Sequence, residues 1–90
     1  LLIDLDPQAS TSSWFGKPRD TKGLFDLFVN KADINDIILP TDTEHIDIIP
    51  SSSWLMGLEK RLAQEVGAET ILKQKLQDLR AGSWDYIIID

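Results

Sequence analysis

The sequence predicts an α/β fold built on a parallel three-stranded sheet with helical crossovers on both faces. Three short apolar runs, residues 1–3, 46–49 and 86–89, are separated by segments whose apolar residues recur at helical spacing, and strands connected through helices pair in parallel. The last run does not alternate apolar with polar residues, which is typical of a strand covered on both faces. If the second crossover passes back over the first strand, the strand order is second, first, third.

In the first half of the chain, the opening strand ends where Pro7 begins a turn. Pro7 has no amide hydrogen and restricts Asp6 to an extended backbone, so strand pairing stops there. The small polar residues 9–13 predict a loop. Thr21 and Asp33 are candidate caps for a short helix and for a further helical turn.

In the second half, a strand at residues 46–49 is followed by three serines, residues 51–53, which are candidate helix caps. Apolar residues then recur at spacings of three and four within residues 55–66 and again within residues 72–79. This spacing predicts two amphipathic helices. Residues 84–90 form the last predicted strand.

Composition limits the class of protein. The 90 residues fit one modest domain, and 15 acidic against nine basic residues give a net charge of −6, which disfavours nonspecific binding of this chain to DNA or to anionic membranes. There is no cysteine and no apolar run long enough to cross a bilayer, and these features fit a reducing cytoplasm. The aromatic residues Trp14, Phe15 and Trp54 are expected to pack rather than to contact a partner.

Acidic and hydroxyl residues follow the predicted strands. Asp4 and Asp6 follow the first, Ser51 the second, and Asp90 the third. Because parallel strands place their carboxyl ends at one edge, these residues are expected to converge, in the crevice that a reversal of strand order opens. Carboxylates beside a helix start that can face an anion suggest a magnesium-bound phosphate.

Three stretches, LLIDLDPQ, IDIIPSS and WDYIIID, together resemble the ParA/MinD group of deviant P-loop ATPases, in particular its ParA (Soj-like) branch. They are similar to the family's switch I strand, its third strand and turn, and its Walker B strand. The intervening GLFDLFVNKADINDIIL also has the family's character. The resemblance therefore covers the whole chain and implies a fragment of a P-loop NTPase fold.

The resemblance also implies roles for individual residues. Asp6 matches the switch I acid that positions or activates the attacking water, and Asp4 matches its partner near the magnesium shell. Asp90 matches the Walker B acid, which holds magnesium through water. Pro7 and Gln8 match the switch itself, whose path they fix beside the bound nucleotide.

As a whole protein, the family resemblance implies an ATPase for chromosome or plasmid partitioning. It would bind ATP and Mg²⁺, form a homodimer around the nucleotide, bind DNA nonspecifically through regions outside this chain, and respond to a centromere-binding, ParB-like protein in the cytoplasm. No membrane partner is expected. The chain, residues 1–90, is expected to be a partial domain without the phosphate-binding loop and the C-terminal part, and to be inactive alone. Its exposed sheet edge is expected to favour self-association.

Two other functions stay open at this point. Asp4 and Asp6 after an apolar strand also match the nucleophile and acid of haloacid-dehalogenase-like phosphohydrolases, although Gln8 departs from that family's pattern. Alternatively, the chain is a noncatalytic α/β interaction module. Rapid labelling of Asp4 by a phosphate analogue would favour the first, and unchanged activity after substitution of Asp6 the second.

Overall fold

A computed structural model describes residues 1–6, 8–18, 22–29, 32–51, 68–79 and 83–90. Within these ranges, the strands are β1 (Leu2–Ile3), β2 (Leu39–Pro40), β3 (Asp47–Ile49) and β4 (Ile88–Ile89). The helices are α1 (Ser10–Trp14), α2 (Leu24–Val29), a 3-10 helix (Ile34–Ile37) and α3 (Ala68–Gln77).

The strand order is β2-β3-β1-β4. In register, Leu2 of β1 lies opposite Ile48 of β3 on one side and Ile88 of β4 on the other, and both pairings are parallel. This confirms the predicted order of second, first and third apolar strands, and the α/β class. The sequence did not predict β2, which pairs antiparallel with β3. A strand of two residues is too short to show the alternation of apolar and polar residues by which strands are predicted. The hairpin turn is closed by the Thr41 hydroxyl, which donates a hydrogen bond to the Ile46 carbonyl at 2.6 Å.

The prediction of a loop at residues 9–13 is wrong, because α1 begins at Ser10. Serine and threonine have weak helix propensity, so the local sequence gave no helix signal. The turn into α1 depends on Ala9, which adopts a left-handed backbone with φ of 57° and donates its amide to the carbonyl of Asp6 at 2.8 Å. Tertiary hydrogen bonds to Ser12, described below, then hold the helix.

Helix α2 and the 3-10 helix agree with their predicted positions. Asp33 caps the 3-10 helix by accepting the amide of Asn35 at 2.9 Å. Before α2, the amide of Gly23 donates to the Asp26 carboxylate at 3.0 Å, while the predicted cap Thr21 lies outside the described residues. Gly23 lies directly against Pro50, because a Cβ atom built on it would be 2.0 Å from the Pro50 carbonyl oxygen.

One apolar core joins the sheet to α2, the 3-10 helix and α3. Its buried members come from the strands, α2 and the 3-10 helix: Leu1, Ile3, Leu24, Leu27, Ile34, Ile37 and Ile49. Partly buried leucines from the second half pack on it: Leu72, Leu76 and Leu79. The predicted stripe in residues 72–79 therefore faces the core, whereas the helix predicted at residues 55–66 lies outside the described part of the chain.

Two expectations about burial are wrong. The last strand is not covered on both faces, because the side chains of Ile87, Ile88 and Ile89 are 45%, 59% and 48% exposed. Trp14 does not pack, since it is 85% exposed at the end of α1, whereas Phe15 is half-buried. Trp54 lies outside the described residues. Within the described ranges, every helix is too short or too polar to span a membrane.

Candidate active site

The carboxyl ends of β1, β3 and β4 meet at one edge of the sheet, which we call the carboxyl edge. Main-chain hydrogen bonds join the three strand ends there. The amide of Leu5 donates to the carbonyl of Asp90 at 2.8 Å, and the amide of Asp90 donates to Ile3 at 2.9 Å. The amide of Asp4 donates to Ile49 at 3.1 Å. The predicted convergence of three distant segments is therefore present.

Asp4 lies inside the protein at this edge, with none of its surface exposed. Its Oδ2 accepts two hydrogen bonds from Ser12, from the amide at 2.8 Å and from the hydroxyl at 2.6 Å. Its Oδ1 accepts the amide of Asp6 at 3.1 Å. Both oxygens of this buried side chain thus have protein donors, as a buried polar group requires.

Asp6 lies two residues further on and is half-buried. Its Oδ1 accepts the amide of Gln8 at 3.0 Å, an Asx turn that holds the carboxylate at the start of the loop. Among the described residues, none donates a hydrogen bond to Oδ2. Gln8 is exposed beside it, and Pro7, between the two, lies outside the described residues.

Asp90 follows β4 at the same edge and is exposed. The hydroxyl of Thr11, on α1, donates to its Oδ2. Because the main chain of Asp90 is also bonded to Leu5, the acid is held both to α1 and to the residue before Asp6. Two carboxylates from opposite ends of the chain therefore stand beside the same short segment.

Ser51 is the described member of the three predicted serine caps. Its amide donates to the hydroxyl of Ser12 at 2.9 Å, and its own buried hydroxyl has no hydrogen-bond partner among the described residues. Residues 52 and 53 lie outside the described part. The end of β3 is thus attached to the same cluster as Asp4.

Comparison with known proteins identifies the group. The family model described as an AAA domain matches residues 1–90, the whole chain. The sporulation initiation inhibitor protein Soj of Bacillus subtilis is 38% identical over 92 aligned residues, covering 100% of this chain and 36% of that protein. The chromosome partitioning protein ParA of Myxococcus xanthus is 33% identical, with coverage of 100% and 32%.

The chain belongs to the ParA/Soj-like P-loop ATPases.

Solved structures share this fold. Cobyrinic acid a,c-diamide synthase from Mycobacterium smegmatis, crystallised with ADP and magnesium, is 30% identical and superposes with a TM-score of 0.83, covering 99% of this chain and 36% of that one. The chain thus spans about a third of the length of these relatives. A ParA/Soj-like fold does not favour the haloacid-dehalogenase alternative, and Asp4, buried and bonded through both oxygens, is poorly placed for a nucleophile.

The donor set at the carboxyl edge of this ParA/Soj-like chain suits magnesium. Among the described residues, no group of three or more acidic, histidine or cysteine side chains stands together as a complete metal site. Magnesium does not need one, since it keeps several waters and takes one or two carboxylates together with phosphate oxygens of a substrate. Asp90, which is exposed to solvent, fits this pattern, and the buried Asp4 lies at the same edge.

Sequence reasoning missed Ser12 and Thr11, which link the predicted acids. Ser12 bonds Asp4, and Thr11 bonds Asp90. Both residues lie in α1, which the sequence did not predict. Residues 10–13 are all serine or threonine, so nothing in the local sequence distinguishes Thr11 and Ser12 from their neighbours. Only the resemblance of the preceding motif pointed to this part of the chain.

Proposed function

We propose that the protein containing this chain hydrolyses ATP with magnesium, and that hydrolysis drives the segregation of chromosomes or plasmids. The observation that carries the proposal is the hydrogen bond between Leu5 and Asp90, which puts Asp90 beside the segment bearing Asp6 in a ParA/Soj-like chain. The names of the relatives and the nucleotide and magnesium in the M. smegmatis structure support it.

Asp6 is the catalytic carboxylate in this proposal. The Asx turn with Gln8 fixes its Oδ1, while Oδ2 accepts a hydrogen of the attacking water. The water oxygen bonds to the γ-phosphorus while the bond from that phosphorus to the bridging oxygen breaks. ADP leaves, the inorganic phosphate keeps one hydrogen of the water, and the other passes to solvent as a proton. Orientation of the water in this way is the main protein contribution when phosphoryl transfer depends on positioning.

Asp90 is the residue that would hold magnesium, through a coordinated water, with Asp4 as its partner near the magnesium shell. The ion, when bound, supplies positive charge to the phosphate oxygens. Asp4 acts near the magnesium shell from within the protein, because its Oδ1 holds the amide of Asp6. Pro7 and Gln8 set the path of the chain beside the nucleotide.

The partners follow from the same family. The whole protein forms a homodimer around ATP, binds DNA nonspecifically and responds to a ParB-like centromere-binding protein, in the cytoplasm and on the nucleoid. DNA is a polyanion, and this chain, with a net charge of −6, is unsuited to bind it. The DNA-binding surface therefore belongs to residues outside this chain. The chain corresponds to a partial ATPase domain.

The test is ATP hydrolysis by the purified full-length protein, with magnesium and with excess chelator. We expect phosphate release that requires magnesium and rises when DNA and the ParB-like partner are added. Absence of magnesium-dependent turnover in the full-length protein would overturn the proposal.

The isolated 90-residue chain gives a second test. We propose that it neither binds ATP tightly nor hydrolyses it, since it covers about a third of the length of its relatives. Calorimetric titration with magnesium and ATP should show no heat of binding. Micromolar affinity would contradict this and place the main nucleotide contacts within residues 1–90.

A further inference from the structure

Ser12 has a hydroxyl in the middle of a buried chain of hydrogen bonds. The amide of Ser51 donates to its Oγ at 2.9 Å, and the same hydroxyl donates to Oδ2 of Asp4 at 2.6 Å. Only 1% of Ser12 is exposed. One hydroxyl therefore ties three segments together: the end of β1, helix α1 and the turn after β3.

Two links extend from this cluster to the acids of the carboxyl edge. Asp4 accepts the amide of Asp6 through its other oxygen, at 3.1 Å. On the preceding residue of α1, the hydroxyl of Thr11 donates to the Asp90 carboxylate. The hydrogen bonds of Ser12 thus hold Asp4, which in turn holds the main-chain amide of Asp6. They also hold α1, whose Thr11 contacts Asp90.

We propose that Ser12 is a positioning residue for ATP hydrolysis, acting through Asp4 on the placement of Asp6 and through α1 on that of Asp90. The inference rests on the proposed function and deepens it. Ser12 is inaccessible to solvent, so it does not touch substrate. Without its hydroxyl, Asp4 loses one of its donors and the amide of Ser51 loses its acceptor.

The hydroxyl matters, rather than the volume of the side chain, because each of its two partners is polar and buried. Ser51 and Asp4 are both 0% exposed, so water cannot readily replace the missing group. The local backbone then readjusts to satisfy them. A displacement of about 1 Å at a reacting group lowers turnover up to about 100-fold, whereas contacts that bind the nucleotide are unchanged.

The experiment measures kcat and KM for ATP in full-length variants that differ by the hydroxyl alone. Ser12→Ala removes it from serine, and the pair Ser12→Thr and Ser12→Val compares side chains of equal size with and without it. Ser13→Ala, on the exposed neighbour, is the matched control. Circular dichroism at the assay temperature establishes that each variant is folded.

We expect Ser12→Ala and Ser12→Val to lower kcat by about 10- to 100-fold with KM changed less than about threefold, while Ser12→Thr and Ser13→Ala keep most of the wild-type kcat. Equal kcat in the threonine and valine variants would overturn the proposal, and so would a change confined to KM. Unfolding of both hydroxyl-free variants would assign the hydroxyl to stability alone and also overturn it. Failure of the proposed function is separate, because then the wild-type protein itself shows no turnover.

Discussion

The amide of Leu5 donates a hydrogen bond of 2.8 Å to the carbonyl oxygen of Asp90, so the residue before Asp6 is held to the last residue of the chain. Removal of the Asp6 carboxylate in the full-length protein should therefore leave the edge intact and take away only the group that orients water. Asp6→Ala should lower ATP turnover by about 100-fold or more, with ATP binding retained.

Phosphate release and nucleotide titration measure the two effects of Asp6→Ala separately. Asp42→Ala is the control, since Asp42 is an exposed acid in the turn between β2 and β3, at the opposite edge of the sheet. Wild-type turnover in the Asp6 variant would show that another group orients the water.

Asp90→Asn should raise the magnesium concentration needed for half-maximal turnover, because a neutral amide attracts the hydrated ion less than a carboxylate does. The hydroxyl of Thr11 can still donate to the amide oxygen, so the fold should be kept. A magnesium titration of turnover measures the shift. A curve that coincides with that of the wild type would remove Asp90 from the metal site.

Gly23→Ala should destabilise the protein by about 3 kcal/mol, because its Cβ would lie 2.0 Å from the main-chain oxygen of Pro50. Denaturant unfolding measures the loss. Gly16→Ala is the matched control: no atom of the described residues lies within 4 Å of its Cβ, but φ is +72°, so only strain of about 1 kcal/mol is expected. Equal losses for the two variants would refute the close contact.

Trp84→Phe should destabilise the protein by about 1 kcal/mol, because the indole of Trp84 donates to the Asp47 carboxylate at 2.9 Å and phenylalanine cannot. The bond joins β3 to the segment before β4. Trp14→Phe should have no effect, since Trp14 is 85% exposed. Thermal unfolding of both variants gives the comparison, and a smaller loss for Trp84 than for Trp14 would contradict it.

The isolated 90-residue chain should self-associate through β4, whose outer edge has no neighbouring strand in the described part of the sheet. The exposed apolar side chain of Ile88 favours pairing with a second copy. Sedimentation should show concentration-dependent dimers, which Ile88→Lys abolishes and Val29→Lys, on the surface of α2, does not. Monomers at all concentrations would count against this.

The sequence was sufficient for the parallel strands and for the acids that follow them, because apolar runs and strand-end aspartates are local signals. It was insufficient for α1 and β2. Helix α1 depends on the hydrogen bonds between Asp4 and Ser12, and β2 depends on pairing with β3 across a hairpin. Neither contact can be read from the propensities of the residues that form the element. The exposure of Ile88 was not predicted for a related reason. An apolar run indicates that a strand can be buried, but it does not indicate which segments cover the strand.

The hairpin at the other margin of the sheet has a consequence for the size of any assembly. Pro40 in β2 has no amide hydrogen, and its carbonyl oxygen already accepts a hydrogen bond from the Lys17 ammonium group at 2.9 Å. Neither main-chain group of Pro40 is therefore free to pair with another strand. In the described part of the sheet, a further strand can therefore add only beside β4. In a pair of copies joined through β4, the outer strands of the described sheets would both be β2, where Pro40 prevents further pairing. Association would therefore stop at a dimer and would not continue into a fibre.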